Sequence, residues 1–193
     1  MEKIYCNDKI DDLVETCFDR GQYRPTEVTI LYKLDKESGF LSFLLLKSAK
    51  AVANGKDSWN FHQGGLERGK SLADAISREL NEELGIDAER DISYVCCGYH
   101  HANVDAAPGR QLRDGFSRGK CLIYSIAEYS GEGQFCMDSS EVADVSWDNY
   151  LGVFKMLLSS ARPAKASVSM TALQQGLGYI KKSPSSKSTI YFP

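Results

Sequence analysis

The sequence predicts an α/β fold, and three observations carry that expectation. Apolar runs of strand length, rich in β-branched and aromatic residues, fall at Glu27 to Leu34, Phe40 to Lys47, Ile92 to Tyr99 and Lys120 to Tyr129. Stretches with helical apolar spacing alternate with them, at Ile10 to Phe18, Ser71 to Leu84, Asn149 to Ser159 and Val168 to Lys181. The length of 193 residues suits one domain with a sizeable core. That domain is expected over 1–182, with its N-terminal helix at 9–19 and a mobile Ser/Lys-rich tail over 183–193.

Composition excludes some functions. A formal charge of −3 gives no broad nucleic-acid face, so contact with RNA or nucleotide has to come from a local basic pocket. The apolar run Phe40 to Leu46 is too short to span a bilayer, so no membrane partner is expected. Six cysteines form no C-x-x-C pair, and no secretory apolar region opens the chain. Free thiols in a reducing cytoplasm are the expectation. Zinc is a poor choice, because His100-His101 lacks ligand spacing.

In chain order, the helix at Ile10 to Phe18 presents Ile10, Leu13, Val14, Cys17 and Phe18 on one side. Asp35 to Gly39 is turn-like, which makes a hairpin of the first two strands. Ala49 to Lys56 reads as a polar loop, and Trp59 to Phe61 as a short strand. Trp59 is either a stacking platform for a base or part of the core. His100 to Arg118 shows no period and carries Arg110 and Arg113, which suit bidentate phosphate contacts or a solvated basic loop. In Lys120 to Tyr129, Leu122, Tyr124 and Ile126 face one way and Cys121 and Ile123 the other, so the strand is buried on both sides. A loop at 131–140 and a strand at 140–147 follow, then a helix capped by Asp148. The last helix, after Pro163, is weakened by Gly176 and Gly178.

The chemistry concentrates in Asn60 to Ile86, NFHQGGLERGKSLADAISRELNEELGI. Gly64 and Gly65 form a paired-glycine bend that lets backbone approach a ligand closely. Ser71 is placed to N-cap a helix, Asp74 lies in its first turn, and Gly85 stops it. Glu79, Glu82 and Glu83 lie within about one turn, where like charges repel. They form either a solvated acidic face, balanced by Arg78, or ligands to a hard divalent cation.

Gly64, five residues, Lys70, seven residues and Arg78-Glu79-Leu80-Asn81-Glu82-Glu83-Leu84-Gly85-Ile86 resemble the Nudix signature G-x5-E-x7-R-E-U-x-E-E-x-G-U. Eight of nine fixed positions match, and Lys70 replaces the first glutamate. Tyr23-Arg24-Pro25 and Trp59-Asn60-Phe61-His62-Gln63-Gly64-Gly65 resemble the RNA pyrophosphohydrolase and diadenosine polyphosphate hydrolase branch, with His62 where that branch has proline. The resemblance implies a Nudix α/β/α sandwich, a mixed β-sheet between helices. It implies a Mg²⁺-dependent (or Mn²⁺-dependent) pyrophosphohydrolase of a dinucleoside polyphosphate or of a capped or triphosphorylated RNA end. Glu79, Glu82 and Glu83, with a carbonyl of Gly64 or Gly65, would hold the metal. Arg78 would orient the carboxylates, and Glu141, or second Glu132, would add one more. Arg24, Trp59, Gln63, Lys70, Arg110 and Arg113 are the expected substrate contacts. The resemblance sets no oligomeric state, and a homodimer is compatible with it.

Lys70 alters the charge at the edge of the site by two units, each worth roughly 2–3 kcal/mol at about 6 Å and an effective dielectric near 20. The enzyme is then slower, or Lys70 binds a substrate phosphate, or the domain binds nucleotides without turnover. An ADP-ribose or nucleotide-sugar pyrophosphatase is the other enzymatic alternative.

Overall fold

The computed structural model describes residues 4–6, 9–35, 37–109, 114–132, 134–159 and 163–181, with 4–6 and 163 through their backbone. The elements are β1 (Ile4–Cys6), α1 (Ile10–Arg20), β2 (Tyr23–Leu34), β3 (Leu41–Ser48), α2 (Ala49–Ala53), β4 (Trp59–Asn60), β5 (His62–Gly65), α3 (Leu72–Leu84), α4 (Ala88–Asp91), β6 (Ile92–Asp105), β7 (Gly119–Tyr129), β8 (Val142–Asp148), α5 (Tyr150–Ser159) and α6 (Pro163–Ile180). The tail at 183–193 and the arginines Arg110 and Arg113 lie outside the described residues.

The sheet is mixed, running β1-β6-β7-β2-β3-β4, with β5 also on β2 and β8 also on β3. The β1–β6 and β7–β2 pairs are parallel and the others antiparallel. One edge of β2 forks. Tyr32 to Leu34 pair with β3, whereas Thr26 to Thr29 pair with β5. The fork delivers β5, and its glycines, to the interior of the sheet beside α3.

Both faces of the sheet are covered. On one, Ile10 and Val14 of α1 and Leu72, Ile76, Leu80 and Leu84 of α3 pack with Leu31 and Ile123. On the other, Val153 and Leu157 of α5 and Leu173 and Ile180 of α6 pack on Ile30, Phe43 and Tyr124. This is the expected α/β/α sandwich. Leu80 and Leu84 are fully buried, and each such leucine contributes roughly 2–3 kcal/mol of apolar burial. Among the described residues no helix is long and apolar enough to cross a membrane.

Several local expectations are corrected. The 49–56 loop contains α2, whose first turn Ser48 caps by accepting from the Ala51 N–H at 3.4 Å. The first strand starts at Tyr23, four residues early, because Tyr23 to Tyr32 pair in register with β7. His100 to Asp105, expected to be irregular, extend β6 against Gly119 to Tyr124. That pairing is non-local and leaves no periodic trace in six residues alternating with solvent. Asn149 caps α5, accepting from the Gly152 N–H at 3.0 Å, and Asp148 instead accepts from the Asn149 N–H. The last helix begins at Pro163, a residue that a first turn tolerates because it needs no N–H there.

The glycine pair forms no bend. Gly64 and Gly65 belong to β5, opposite Glu27 and Thr26, and neither takes a positive φ. Their small size serves close approach: a Cβ on Gly64 would collide with the Glu79 side chain, and one on Gly65 with the Arg24 guanidinium.

Candidate active site

α3 is locally well specified. Ser71 Oγ accepts from the Asp74 N–H at 3.1 Å, and Gly85 closes the helix in the left-handed region at φ 67°. With Leu80 and Leu84 locked into the core, Glu79 and Glu83 point along the flank of the helix that meets β5. Arg78 lies at the edge and binds several groups. Its Nη2 donates to the Gly65 carbonyl at 3.1 Å and sits 2.9 Å from Glu79 Oε1, and its Nη1 is 3.3 Å from Glu82 Oε2. Glu67 Oε1 lies 3.6 Å away on the same side. Burial opposes the Arg78 charge, but Glu79, Glu67 and Glu82 outweigh it and raise its pKa.

Behind Glu79 and Glu83 the sheet contributes two buried polar residues. Glu27 of β2 and His62 of β5 have fully buried side chains, with His62 Nδ1 3.1 Å from Glu27 Oε1. His62 Nε2 is 3.4 Å from Glu83 Oε2. These are ion-pair distances without hydrogen-bond alignment, and both ring nitrogens and Glu27 Oε1 lack an aligned partner. Glu27 Oε2 accepts from Thr29 Oγ1 at 2.7 Å. Burial raises the Glu83 pKa to about 7, with Glu79, Glu27 and Glu141 adding to the rise and His62 opposing it. Burial also raises Glu79. For His62 burial works downward, but Glu27, Glu83 and Glu79 overcome it and the pKa rises.

The donor chemistry fits a hard divalent cation. Glu79 and Glu83 are oxygen donors one turn apart, both raised above the ordinary carboxylate value chiefly by burial, with Glu27 adding to each, a penalty that a cation removes. Among the described residues no three Asp, Glu, His or Cys side chains close on one point. Mg²⁺ does not require three, since it is usually held by one or two carboxylates, with waters and substrate phosphates completing the shell. Glu82 is turned to Arg78 and is 59% exposed. The Gly65 carbonyl is occupied by Arg78, which leaves Gly64 as the glycine beside Glu79.

A cleft of about 780 Å³ opens beside this cluster, with His62, Glu83 and Glu141 in its wall. Trp59, Gln63 and the lysines Lys47, Lys120 and Lys165 also line it. Glu141 lines the cleft and is paired with Lys50 Nζ at 2.5 Å. Trp59 is half-buried against the α6-side core, with Lys47 Nζ 5.4 Å from its ring centroid. Gln63 Oε1 accepts from Lys165 Nζ at 2.8 Å. Arg24 lies over Gly65 and pairs with Asp114 at 3.0 Å. Lys70 is exposed on the turn before α3, and Glu132 is exposed elsewhere.

Four features escaped the sequence reading. Glu27 looked like one residue of an apolar strand, and only the β2–β5 register places it behind His62. Glu67 stands beside Arg78, the partner that the missing glutamate at position 70 would supply. Lys120 and Lys165 come from β7 and from α6, about a hundred residues beyond Gln63 in the latter case. No local signal marks them, although the β-alternation of β7 does turn Lys120 away from the α3 face.

The sequence model of the NUDIX domain matches residues 23–168, most of the chain. The chain belongs to the Nudix family, and it spans less than two thirds of the length of the curated relatives it matches. Within that family, an RNA pyrophosphohydrolase of Nitratiruptor is 33% identical over 69 residues, 36% of this chain and 41% of that protein. Among solved structures, the E. coli dihydroneopterin triphosphate pyrophosphohydrolase superposes with a TM-score of 0.59 at 16% identity, covering 80% of this chain and 96% of its own. A C. elegans Ap4A hydrolase in a binary complex gives 0.56 at 18% identity, covering 81% and 98%. At these identities the two structures establish the shared fold.

Proposed function

We propose that this chain is a Mg²⁺-dependent pyrophosphohydrolase, with Mn²⁺ as a substitute, that cleaves a nucleoside polyphosphate: a dinucleoside polyphosphate or the 5′ end of a triphosphorylated or capped RNA. One observation carries the reading. A single cleft is lined by the carboxylates of Glu83, on α3, and Glu141, just before β8, together with Lys47 and Lys120 of the sheet and Lys165 of α6. That arrangement suits a phosphate chain, whose charge needs cations along its length and whose scissile phosphorus needs a metal-bearing end. The RNA pyrophosphohydrolase and Ap4A hydrolase among the similar proteins support the substrate class. Five free cysteines among the described residues support a cytoplasmic setting.

Glu79 and Glu83 would hold the cation. When bound, it supplies charge neutralisation at the phosphate and a more acidic water. The chain's own residues do the rest. Arg78 ties Glu79 and Glu82 to the Gly65 carbonyl and so holds the motif carboxylates in place. Lys120 and Lys165 neutralise and orient the phosphates, while Trp59 offers a face to a base. The electrostatic complement to the transferring phosphoryl group is therefore assembled before reaction.

Lys70 favours a second reading, a nucleotide-binding domain without turnover. A panel of dinucleoside polyphosphates, triphosphorylated RNA, ADP-ribose and nucleotide sugars, incubated with Mg²⁺ or Mn²⁺, separates the two. Hydrolysis of either of the first two, raised by Lys70→Glu, supports the proposal. Tight binding with no product from any substrate overturns it, and AMP with ribose 5-phosphate from ADP-ribose alone reassigns the substrate.

A further inference from the structure

We propose that His62 is a positioning residue, braced by Glu27, whose ring sets the place of the Glu83 carboxylate at the floor of the cleft. The inference rests on the cation-holding role given to Glu83 above. Three side chains stand in line through the sheet: Glu27 on β2, His62 on β5 and Glu83 on α3. The spacings are 3.1 Å from Glu27 Oε1 to Nδ1 and 3.4 Å from Nε2 to Glu83 Oε2.

The line is directional. Glu27 and His62 have no solvent exposure, whereas Glu83 is 18% exposed and meets the cleft. The ring is fixed from behind: His62 pairs with Thr29 across β2 and β5, and the Thr29 hydroxyl donates to the other oxygen of Glu27. The groups that face the ring from the packed elements are Glu27 from β2 and Glu83 and Glu79 from α3. A carboxylate behind an imidazole fixes both the orientation of the ring and the nitrogen that points forward.

As an element of stability the arrangement is poor. A buried ion pair is often replaced by apolar residues without loss, and here both ring nitrogens and Glu27 Oε1 lack aligned hydrogen bonds. Contacts of this kind are frequently long in the unliganded protein and tighten in the working complex. Among the described residues, the side chain through which the pair meets the exposed part of the cleft is Glu83. Without it, Glu83 would be free to follow the other motif carboxylates toward Arg78.

Three variants of the full chain test the assignment. His62→Gln places an amide where Nε2 stands, within reach of Glu83. His62→Asn places one where Nδ1 stands, within reach of Glu27 only. Glu27→Leu with His62→Leu removes both polar partners together, so that no buried charge is left alone. The measurements are kcat and KM on the best substrate of the panel, and Mn²⁺ affinity by EPR titration without substrate. We expect His62→Asn and the double variant to lose about tenfold or more in kcat and in Mn²⁺ affinity, as loss of outer supporting residues does. KM should stay within about threefold, and His62→Gln should recover most of both losses.

Equal behaviour of the asparagine and glutamine variants would overturn the proposal. So would a double variant that keeps wild-type kcat and Mn²⁺ affinity. If the amide variants do not fold, the double variant decides by the same two readouts. If the wild type turns over no substrate but the double variant binds Mn²⁺ about tenfold more weakly, the hydrolase reading fails and the role of His62 stands.

Discussion

Glu83→Gln will make the metal-free protein more stable at pH 8 while removing its turnover. In the wild type this carboxyl titrates at about 7 against an ordinary 4.5, chiefly because it is buried, with Glu79, Glu27 and Glu141 nearby. A folded-state pKa above the unfolded value means that the stability contributed by this group is complete below about pH 4.5 and is lost as pH rises through about 7. That separation corresponds to about 3 kcal/mol, an upper bound because the carboxylate meets solvent at the cleft. Glutamine has the same shape and no charge to bury. His62 moves in the same sense: its raised pKa means that its contribution also fades toward alkaline pH, and more steeply with Glu83 present. The advantage of the variant over wild type will therefore grow from pH 4.5 to pH 8 by up to about 3 kcal/mol, or roughly 6–12 °C in Tm for a chain of this size. Thermal and urea unfolding in a chelator across that range measure it. Mg²⁺ at pH 8 will then raise the wild-type Tm and leave the variant nearly unmoved. A stability difference that stays flat with pH, or wild type gaining on the variant toward pH 8, would refute the view that Glu83 is held charged against its environment until a cation arrives.

Gly64→Ala will lower kcat by about a hundredfold, because its Cβ falls on the Glu79 side chain and moves a carboxylate by about an ångström. Its stability, read by urea unfolding, will fall by about 1–3 kcal/mol, as over-packing does. Lys165→Met will raise KM for a polyphosphate by about tenfold while leaving kcat nearly unchanged, and KM will become less sensitive to added salt.

The motif helix was legible because its determinants are local. Ser71, Asp74, the four-residue spacing of Leu72, Ile76, Leu80 and Leu84, and Gly85 all act within one or two turns, and each appears in the folded chain where its chemistry put it. The alternation in Lys120 to Tyr129 likewise showed both faces of a central strand, since period-two patterning reports burial directly. The glycine pair misled because glycine has two uses, unusual dihedrals and close approach, and residue type alone does not separate them. Gly64 and Gly65 serve the second. The extension of β6 through Asp105 was hidden because its side chains alternate with solvent, and only the partner strand makes it regular.

By itself, the order of residues determined that Glu79 and Glu83 would share one flank of a capped helix that follows a glycine pair, because covalent spacing and backbone geometry leave little else. The tertiary structure alone decided what those groups face. The fork in β2 brings Glu27 and His62 behind Glu83, and the packing of α6 on the opposite face carries Lys165 to Gln63. Those choices depend on strand register and helix docking between segments far apart in the chain. The work a carboxylate can do depends on its neighbours in space, which spacing along the backbone does not specify.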